Sequence, residues 1–174
     1  MIILKGKGFT LVELVVTLAL LSIVIAISAS SYQMLLANQA LSSAASKLYY
    51  TLQLAKTEAI KRNVKVYVQF CQQGEQWSVG MSEASGCDCF TANSCQLDDV
   101  DNVQPLVDGE EVMLSQANMK FNGDQASYGA LRFTVKTGSV TLTNQYQGAL
   151  SVIQSAMRLR VCSPDKAALG YKKC

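Results

Sequence analysis

The fold of this chain is decided near its amino end by residues 5–29, which read KGKGFTLVELVVTLALLSIVIAISA. Glu13 is the only charged residue within 9–29. At about 1.5 Å per helical residue, this apolar stretch is roughly 30 Å long, the thickness of the hydrocarbon core of a bilayer. Lys5 and Lys7 precede it, and basic residues favour the cytoplasmic side of a membrane. We therefore expect a single membrane span that leaves the rest of the chain on the other side.

The helix is predicted to continue beyond this stretch. Neither Gly nor Pro, the two strongest helix breakers, occurs from Phe9 through Gln73. Apolar residues then recur at steps of three and four, which is typical of one buried helix face. They are Leu41, Ala45, Leu48, Leu52, Ala55 and Ala59. We expect this amphipathic half of the helix to lay that face on a globular domain.

Strands are predicted where apolar and polar residues alternate after Asn63. The alternating apolar residues are Val64, Val66, Val68 and Phe70; Trp77, Val79 and Met81; Leu131, Phe133 and Val135, followed by Val140 and Leu142; and Met157, Leu159 and Val161. A turn at 136–138 is expected to join the third group into a hairpin. The polar segment Ser82–Asp108 is expected to be a long loop tied by disulfides.

These patterns predict an α+β protein. A long N-terminal helix, transmembrane in its first half and amphipathic in its second, packs on an antiparallel β domain. We expect a leader over 1–8, the transmembrane half over 9–29, the amphipathic half over 30–63 and a β-rich globular domain over 64–174.

The residue types exclude several classes of function. Histidine is absent, which rules out the His-based general base of common nucleophilic triads and zinc sites that need imidazole. The segment CDCFTANSC, residues 87–95, also lacks the paired Cys-x-x-Cys spacing of most structural zinc sites. We therefore expect no enzymatic activity, no cofactor and no metal.

Charge is distributed unevenly along the chain. Nine acids and no Lys or Arg lie between Lys65 and Lys120. After Glu111 the balance reverses, with eight basic residues against Asp124 and Asp165. Solvation of a surface is enough to explain an acidic segment, whereas the basic carboxy-terminal part is a candidate for binding an anionic partner.

Six cysteines downstream of a membrane span indicate disulfides in an oxidising compartment. They are Cys71, Cys87, Cys89, Cys95, Cys162 and Cys174. Sequence proximity favours Cys162 with Cys174, which would close a loop in the basic tail, the end of the chain from Arg158 to Cys174. The other four are expected to make two bridges within the acidic region, and their pairing stays open.

The segment KGKGFTLVEL, residues 5–14, resembles the signal of type IV prepilins and type II secretion pseudopilins. In that family a prepilin peptidase cuts after the glycine, here Gly8, and methylates the new amino terminus, here Phe9. The resemblance also implies that Glu13 pairs with the charged amino terminus of a neighbouring subunit. An ordinary secretory signal peptide is the alternative. An acid inside the apolar run and a helical pattern that continues past Ser30 argue against it.

The resemblance extends over residues 38–68, where the segment TEAIKRN at 57–63 is similar to that of FimT/GspH-type minor pilins. It implies a low-abundance pilin that helps to assemble a type IV pilus. Its partners are then other major and minor pilins and an inner-membrane assembly platform. Such a subunit first spans the inner membrane with its domain in the periplasm and then enters the filament. A type II secretion minor pseudopilin of the H type, with a purely structural role, is the alternative.

DNA binding during uptake and natural transformation is a second expected activity. FimT-type proteins that bind DNA often carry Gly-Arg-x-Arg near the carboxy terminus, where this chain has GYKK at 170–173. The candidate residues for contacting double-stranded DNA are Arg158, Arg160, Lys166, Tyr171, Lys172 and Lys173. Their cations would neutralise phosphates, and the tyrosine would stack on a base.

Overall fold

A computed structural model of the chain describes residues 9–107, 111–131 and 134–174, with the backbone alone at 27–30. Two compact units follow one another along the chain, one up to Leu36 and the other from Ala37 to Cys174. The described part of the first unit is almost entirely helical, and the second unit holds the rest of that helix and the described strands.

One α-helix, α1, runs from Leu11 to Arg62, as the absence of Gly and Pro predicts. Its end is marked by Asn63, whose φ of 56° is the left-handed conformation that commonly follows a helix. Lys61 and Arg62 lie in the last turn, where basic side chains are favourable beside the unpaired carbonyl groups. The predicted helix ends at 9 and 63 therefore differ from the observed ends by one or two residues.

The amphipathic half of α1 buries the predicted face completely. Each of the six residues has no exposed surface, namely Leu41, Ala45, Leu48, Leu52, Ala55 and Ala59. Three of them are alanines, whose small side chains allow the helix backbone to lie close to the strands. The prediction that this half packs on a globular domain is confirmed.

The strands described after α1 are β1 (Val66–Gln73), β2 (Gln76–Ser82), β3 (Gln96–Leu97), β4 (Val100–Asp101), β5 (Val103–Val107), β6 (Val112–Met113), β7 (Gln125–Tyr128), β8 (Gly138–Asn144), β9 (Ala149–Gln154) and β10 (Leu159–Cys162). They form two four-stranded sheets, ordered β5-β2-β1-β7 and β10-β9-β8-β6, while β3 and β4 make a two-stranded ribbon. The pairing within these sheets is antiparallel. The predicted α+β fold is confirmed.

The segment Ser82–Asp108 is not the uninterrupted loop that its polar composition predicts. It contains β3 and β4, and β5 pairs with β2 at the edge of the first sheet. Pro105 lies within β5, and an edge strand tolerates proline because one of its sides needs no hydrogen bonds. A strand that contains proline and is so short has no clear sequence pattern. Asp108 itself lies outside the described residues.

The predicted hairpin around 136–138 is also wrong. β8 begins at Gly138 and pairs with β9 instead of with the segment before it. Val135 makes an isolated bridge to Tyr128, and Phe133 lies outside the described residues. The polar Ser151 of β9 is buried, and the apolar Val152 and Ile153 are adjacent, so that this strand departs from the regular alternation of apolar and polar residues on which sequence prediction depends.

The last strand is shorter than predicted. Met157 lies in the turn between β9 and β10 and is 75% exposed. The main-chain N–H of Ser155 donates to the oxygen of Arg158 at 2.9 Å and closes this turn. Leu159 and Val161 do belong to β10, where they pack partly buried against the core.

The main hydrophobic core joins α1 to both sheets within the second unit. Trp77, Tyr128 and Leu142 are among its largest fully buried side chains. A smaller buried cluster is built on Cys87, Cys89 and Cys95. The core residues described, and the disulfides, all belong to Ala37–Cys174.

Candidate functional site

The first turn of α1 brings Glu13 back onto Thr10. The main-chain N–H of Thr10 donates to Glu13 Oε2 at 3.2 Å, and the main-chain N–H of Glu13 donates to Thr10 Oγ1 at 3.2 Å. The Thr10 hydroxyl also lies 3.2 Å from the same carboxylate oxygen. This reciprocal pair is a capping box, which satisfies two otherwise unpaired donors at a helix start. The acid of the apolar helix therefore has a partner in its own chain.

The side chains around Glu13 are apolar and exposed. Leu11, Val12 and Leu14 are each more than half exposed, as is Phe9 at 72%. By length and composition, α1 can cross a membrane. A helix that is apolar on all sides needs an apolar environment, so this end of the chain is built to be surrounded by lipid or by other apolar helices. Gly8, the predicted cleavage residue, lies outside the described residues.

Two disulfides hold the acidic segment, here residues 82–107, against the first sheet. Cys71 of β1 is bonded to Cys89, and Cys87 is bonded to Cys95. In the first bridge, Cys89 Sγ lies 3.8 Å from the main-chain oxygen of Ser78. The second bridge lies against Gly80 of β2, because a Cβ at Gly80 would stand 2.4 Å from Cys95 Sγ. A glycine is therefore needed at this position of β2 for the second bridge to reach its place on the sheet.

Acids of the same segment pair with the end of α1. Arg62 contacts Glu58 at 2.5 Å and Glu83 at 3.9 Å, and it also pairs with Asp98. The hydrogen bond from Arg62 holds the pKa of Glu58 below its ordinary value, and the same bond raises the pKa of Arg62. Part of the acidic segment thus fixes a loop to the helix and is not merely a solvated surface.

The basic tail is held against the end of β10. Cys162 is bonded to Cys174 across a separation of 12 residues, which is the pairing that sequence proximity favours. The N–H of Ser163 donates to the oxygen of Lys172 at 2.9 Å, and the N–H of Cys174 donates to the oxygen of Ser163 at 2.9 Å. Ser163 and Lys173 also form a parallel bridge. Exposed lysines are therefore displayed on an ordered backbone.

A cleft of about 400 Å³ lies beside this tail. One wall is α1, with Ser46, Tyr49 and Tyr50, and the other consists of β10 and Tyr171. Tyr171 Oη lies 3.4 Å from Ser46 Oγ. Arg160 also lines the cleft, and its Nη2 donates to the main-chain oxygen of Cys174 at 3.4 Å.

Comparisons with known proteins identify the family. A family model described as type II transport protein GspH matches residues 44–166, and one described as a prokaryotic N-terminal methylation motif matches residues 4–29. The chain belongs to the GspH family. A search of curated proteins found no significant match. The methylation motif spans the predicted cleavage point and Glu13, so that the resemblance to prepilins is confirmed.

Crystal structures of a known pilin show the same fold. The type IV minor pilin FimU of Pseudomonas aeruginosa matches in two crystal forms, with TM-scores of 0.50 and 0.52 at 18% and 16% identity. These matches cover 72% of this GspH-family chain and 98% or 92% of FimU. The minor pseudopilin EpsH from the type 2 secretion system of Vibrio cholerae matches with a TM-score of 0.46 and 17% identity over 72% of this chain and 98% of EpsH.

The GspH-family chain is thus one of the pilins and pseudopilins that carry an N-terminal methylation motif. Its class consists of structural subunits that assemble with other pilins into filaments. The apolar half of α1 suits it to membrane anchoring, and the β domain is its globular part.

The candidate residues of the GspH-family chain fall into two groups. Phe9 and Glu13 lie at the start of α1, whereas Arg160 and Tyr171 meet at the cleft. Lys172 and Lys173 follow Tyr171 in the chain and so lie next to the cleft. Arg158 lies in the turn before β10, and Lys166 lies in the loop that the last disulfide closes. Sequence reasoning missed the helix residues of the cleft. Tyr49 and Tyr50 stand next to each other on α1, but their meeting with a tail more than a hundred residues away has no local signal.

Proposed function

We propose that this chain is a minor type IV pilin whose assembly depends on cleavage between Gly8 and Phe9. The supporting observation is the N-terminal methylation motif at residues 4–29, which contains the exposed apolar start of α1. In this proposal the prepilin peptidase cuts the leader and methylates Phe9. The apolar half of α1 then anchors the subunit in the inner membrane, with the β domain in the periplasm, until the assembly platform passes it into the filament.

The chemistry of Glu13 couples cleavage to assembly. A carboxylate in the hydrocarbon core of a bilayer is costly, by up to about 2.5–3.5 kcal/mol at its centre on insertion scales, and Glu13 lies in the first turn of the span. The bonds from Thr10 satisfy part of its hydrogen-bonding capacity while the subunit waits in the membrane. The charged amino terminus of a neighbour's Phe9 is a better partner, since it adds the attraction between two opposite charges, which is strong in a medium of low dielectric constant. That amine exists only after the leader has been cut.

Mass spectrometry of the membrane fraction tests the first step. We expect a chain that begins at methylated Phe9, and an uncut precursor when Gly8→Ala is introduced. A mature chain that begins near Ser30 would show that the segment is a secretory signal peptide instead.

A second experiment tests the role of Glu13. Glu13→Gln should insert and be processed as the parent does, because the apolar helix and the cleavage point are unchanged. Its crosslinking to neighbouring pilins should fall, because a neutral amide cannot form an ion pair with the amine. Normal crosslinking would remove this role from Glu13.

A type II secretion pseudopilin of the H type is the alternative within the same class. The family model is named after a type II transport protein, which favours it, whereas the fold is shared by a type IV minor pilin. Deletion of the gene separates the two. Loss of surface pili with normal protein secretion supports the pilin, and loss of secretion with normal pili supports the pseudopilin.

We also propose that the basic tail binds double-stranded DNA. Between Arg158 and Cys174 the chain carries five Lys or Arg against a single acid, Asp165. The disulfide and the main-chain bonds at Ser163 support this proposal because they order the tail before any ligand arrives. Pre-ordering lowers the entropy that binding must overcome.

Salt titration of binding by the full chain in a non-ionic detergent tests this activity. Affinity for duplexes of unrelated sequence should be equal and should fall with salt, with a log–log slope of roughly −0.9 for each phosphate contacted. Lys172→Glu with Lys173→Glu should abolish binding. The matched control is Lys65→Glu with Lys120→Glu, which makes the same change in net charge on exposed residues elsewhere. Equal losses in both variants would show that binding follows net charge alone.

A further inference from the structure

The cleft between α1 and the tail carries three tyrosines and a guanidinium. Tyr50 is 68% exposed, while Tyr49 and Tyr171 are partly buried and so are held in place by their surroundings. The rings of Tyr49 and Tyr50 meet edge to face, with centroids 5.5 Å apart and planes at 80°. Such a pair leaves faces of its rings free for a further flat group.

Hydrogen bonds position two of these rings. Gln53 Nε2 donates to Tyr49 Oη at 3.1 Å from the next turn of α1. Tyr171 Oη shares a hydrogen bond with Ser46 Oγ at 3.4 Å, and the adjacent N–H of Tyr171 donates to the oxygen of Ala168 at 2.9 Å. These two rings are therefore oriented without a ligand, and they add little side-chain entropy to the cost of binding.

The charged side chains around the cleft have one sign. Arg160 lines it, Lys172 and Lys173 follow Tyr171, and no Asp or Glu is among the described residues that line it. Aromatic rings beside cations make up the stacking platform and electrostatic groove that bind single-stranded nucleic acid. A duplex cannot use such rings in the same way, because its bases are already stacked on one another and only their edges, not their faces, are accessible in the grooves.

We infer that this cleft binds unpaired bases, so that the tail and the cleft together favour single-stranded DNA or a frayed end over the interior of a duplex. The inference rests on the proposed DNA binding and names its ligand more closely. Tyr50 supplies the exposed ring for stacking, Arg160 and the tail lysines contact phosphates, and Tyr49 and Tyr171 form the walls.

Three fluorescent ligands of equal length separate bases from phosphates. They are an oligothymidine, an abasic strand with the same backbone, and a duplex closed by a loop at each end. With the full chain in non-ionic detergent at low salt, we expect the oligothymidine to bind most tightly. Tyr50→Ala should weaken its binding by about fivefold or more, which corresponds to the roughly 1 kcal/mol minimum for one stacked base. Binding of the closed duplex should stay unchanged.

Two further variants exclude trivial causes. Tyr50→Phe keeps the ring and should bind the oligothymidine as the parent does. Tyr146→Ala removes another partly exposed tyrosine, in the turn between β8 and β9, and should also bind normally. A loss in Tyr146→Ala equal to that in Tyr50→Ala would overturn the inference.

The remaining outcomes distinguish this inference from the proposal on which it rests. Equal affinity for the oligothymidine and the abasic strand, together with salt-dependent duplex binding, would refute the cleft as a base site and leave DNA binding by the tail intact. Failure of all three ligands to bind would refute both. Loss of crosslinking to other pilins in Tyr50→Ala, with unchanged oligothymidine binding, would show that the cleft is instead a contact between subunits.

Discussion

The two halves of α1 carry similar side chains in opposite surroundings. Between Leu11 and Ile25 every leucine, valine and isoleucine is more than half exposed, whereas Leu41, Leu48 and Leu52 have no exposed surface. The first half therefore contributes nothing to the core of its own chain, and its apolar surface is available to lipid or to neighbouring subunits. The second half is a structural part of the β domain. Changes in the two halves should have separable effects on stability and on assembly.

The largest effect is expected from a pair of matched leucine substitutions. Leu52→Ala should lower the free energy of unfolding of the domain by about 2–5 kcal/mol, because it opens a cavity in the core. Leu18→Ala removes the same atoms from a side chain that is 58% exposed. It should change the free energy of unfolding of the domain by less than about 0.5 kcal/mol. Denaturation of the full chain in detergent can be followed by the fluorescence of Trp77, the only tryptophan, which is buried in β2. Equal losses would mean that the two halves unfold as one unit.

Removal of the disulfide between Cys162 and Cys174 should lower the stability of the β domain, with the second half of α1 that packs on it, and leave the first half of α1 unaffected. Cys162→Ala with Cys174→Ala should destabilise the domain by about 3 kcal/mol, the entropy that a closed loop of this size removes from the unfolded chain. Cleavage of the leader should be unaffected, since the anchor contains no cysteine. Peptide mapping of the parent without reduction checks the pairing itself, and a Cys174 that is free or bonded to Cys71 would contradict it.

A smaller loss is expected at Gly80. Gly80→Ala places a Cβ 2.4 Å from Cys95 Sγ, and overpacking of this kind typically costs about 1–3 kcal/mol. The loss should shrink when Cys87→Ala and Cys95→Ala remove both sulfur atoms. If the loss is the same with and without the disulfide, the sulfur atoms are not its cause.

The smallest expected effect is a change in pH dependence at the end of α1. Arg62 lowers the pKa of Glu58, so the folded state favours the ionised carboxylate more than the unfolded state does. The stabilisation is therefore present above the ordinary pKa of glutamate and is lost as the pH falls through the lowered value. In the acidic range, the free energy of unfolding of the Glu58→Gln variant should depend less on pH than that of the parent. A pH profile identical to that of the parent would show that the ion pair does not contribute.

The sequence was sufficient for the parts of the fold that repeat locally. The spacing from Leu41 to Ala59 predicted the buried face of α1 correctly, because a helix brings residues three and four apart onto one side. β5 and β9 were not predicted, since β5 contains Pro105 and β9 has the adjacent apolar residues Val152 and Ile153 in place of a regular alternation.

The same distinction holds for the candidate sites. The motif around Gly8 and Glu13 lies within one short segment and could be found from its residues. The cleft joins Tyr50 to Tyr171, and only the packing of β10 against α1 brings them together. Likewise, no pattern in the sequence indicates that Arg62 pairs with Asp98.

The two disulfides of the acidic segment have a consequence for how a cell must handle this protein. Their connectivity interlocks along the chain, with Cys71 joined to Cys89 and Cys87 joined to Cys95. Cys71 Sγ lies near the main chain of both Cys89 and Cys87. Because only one residue separates these two cysteines, Cys71 can meet either of them first while the chain folds. Oxidation in the order of first encounter can thus yield a swapped isomer, which only thiol–disulfide exchange corrects. In cells that lack a disulfide isomerase, we expect the swapped isomer to accumulate in protein whose apolar helix is correctly inserted in the membrane.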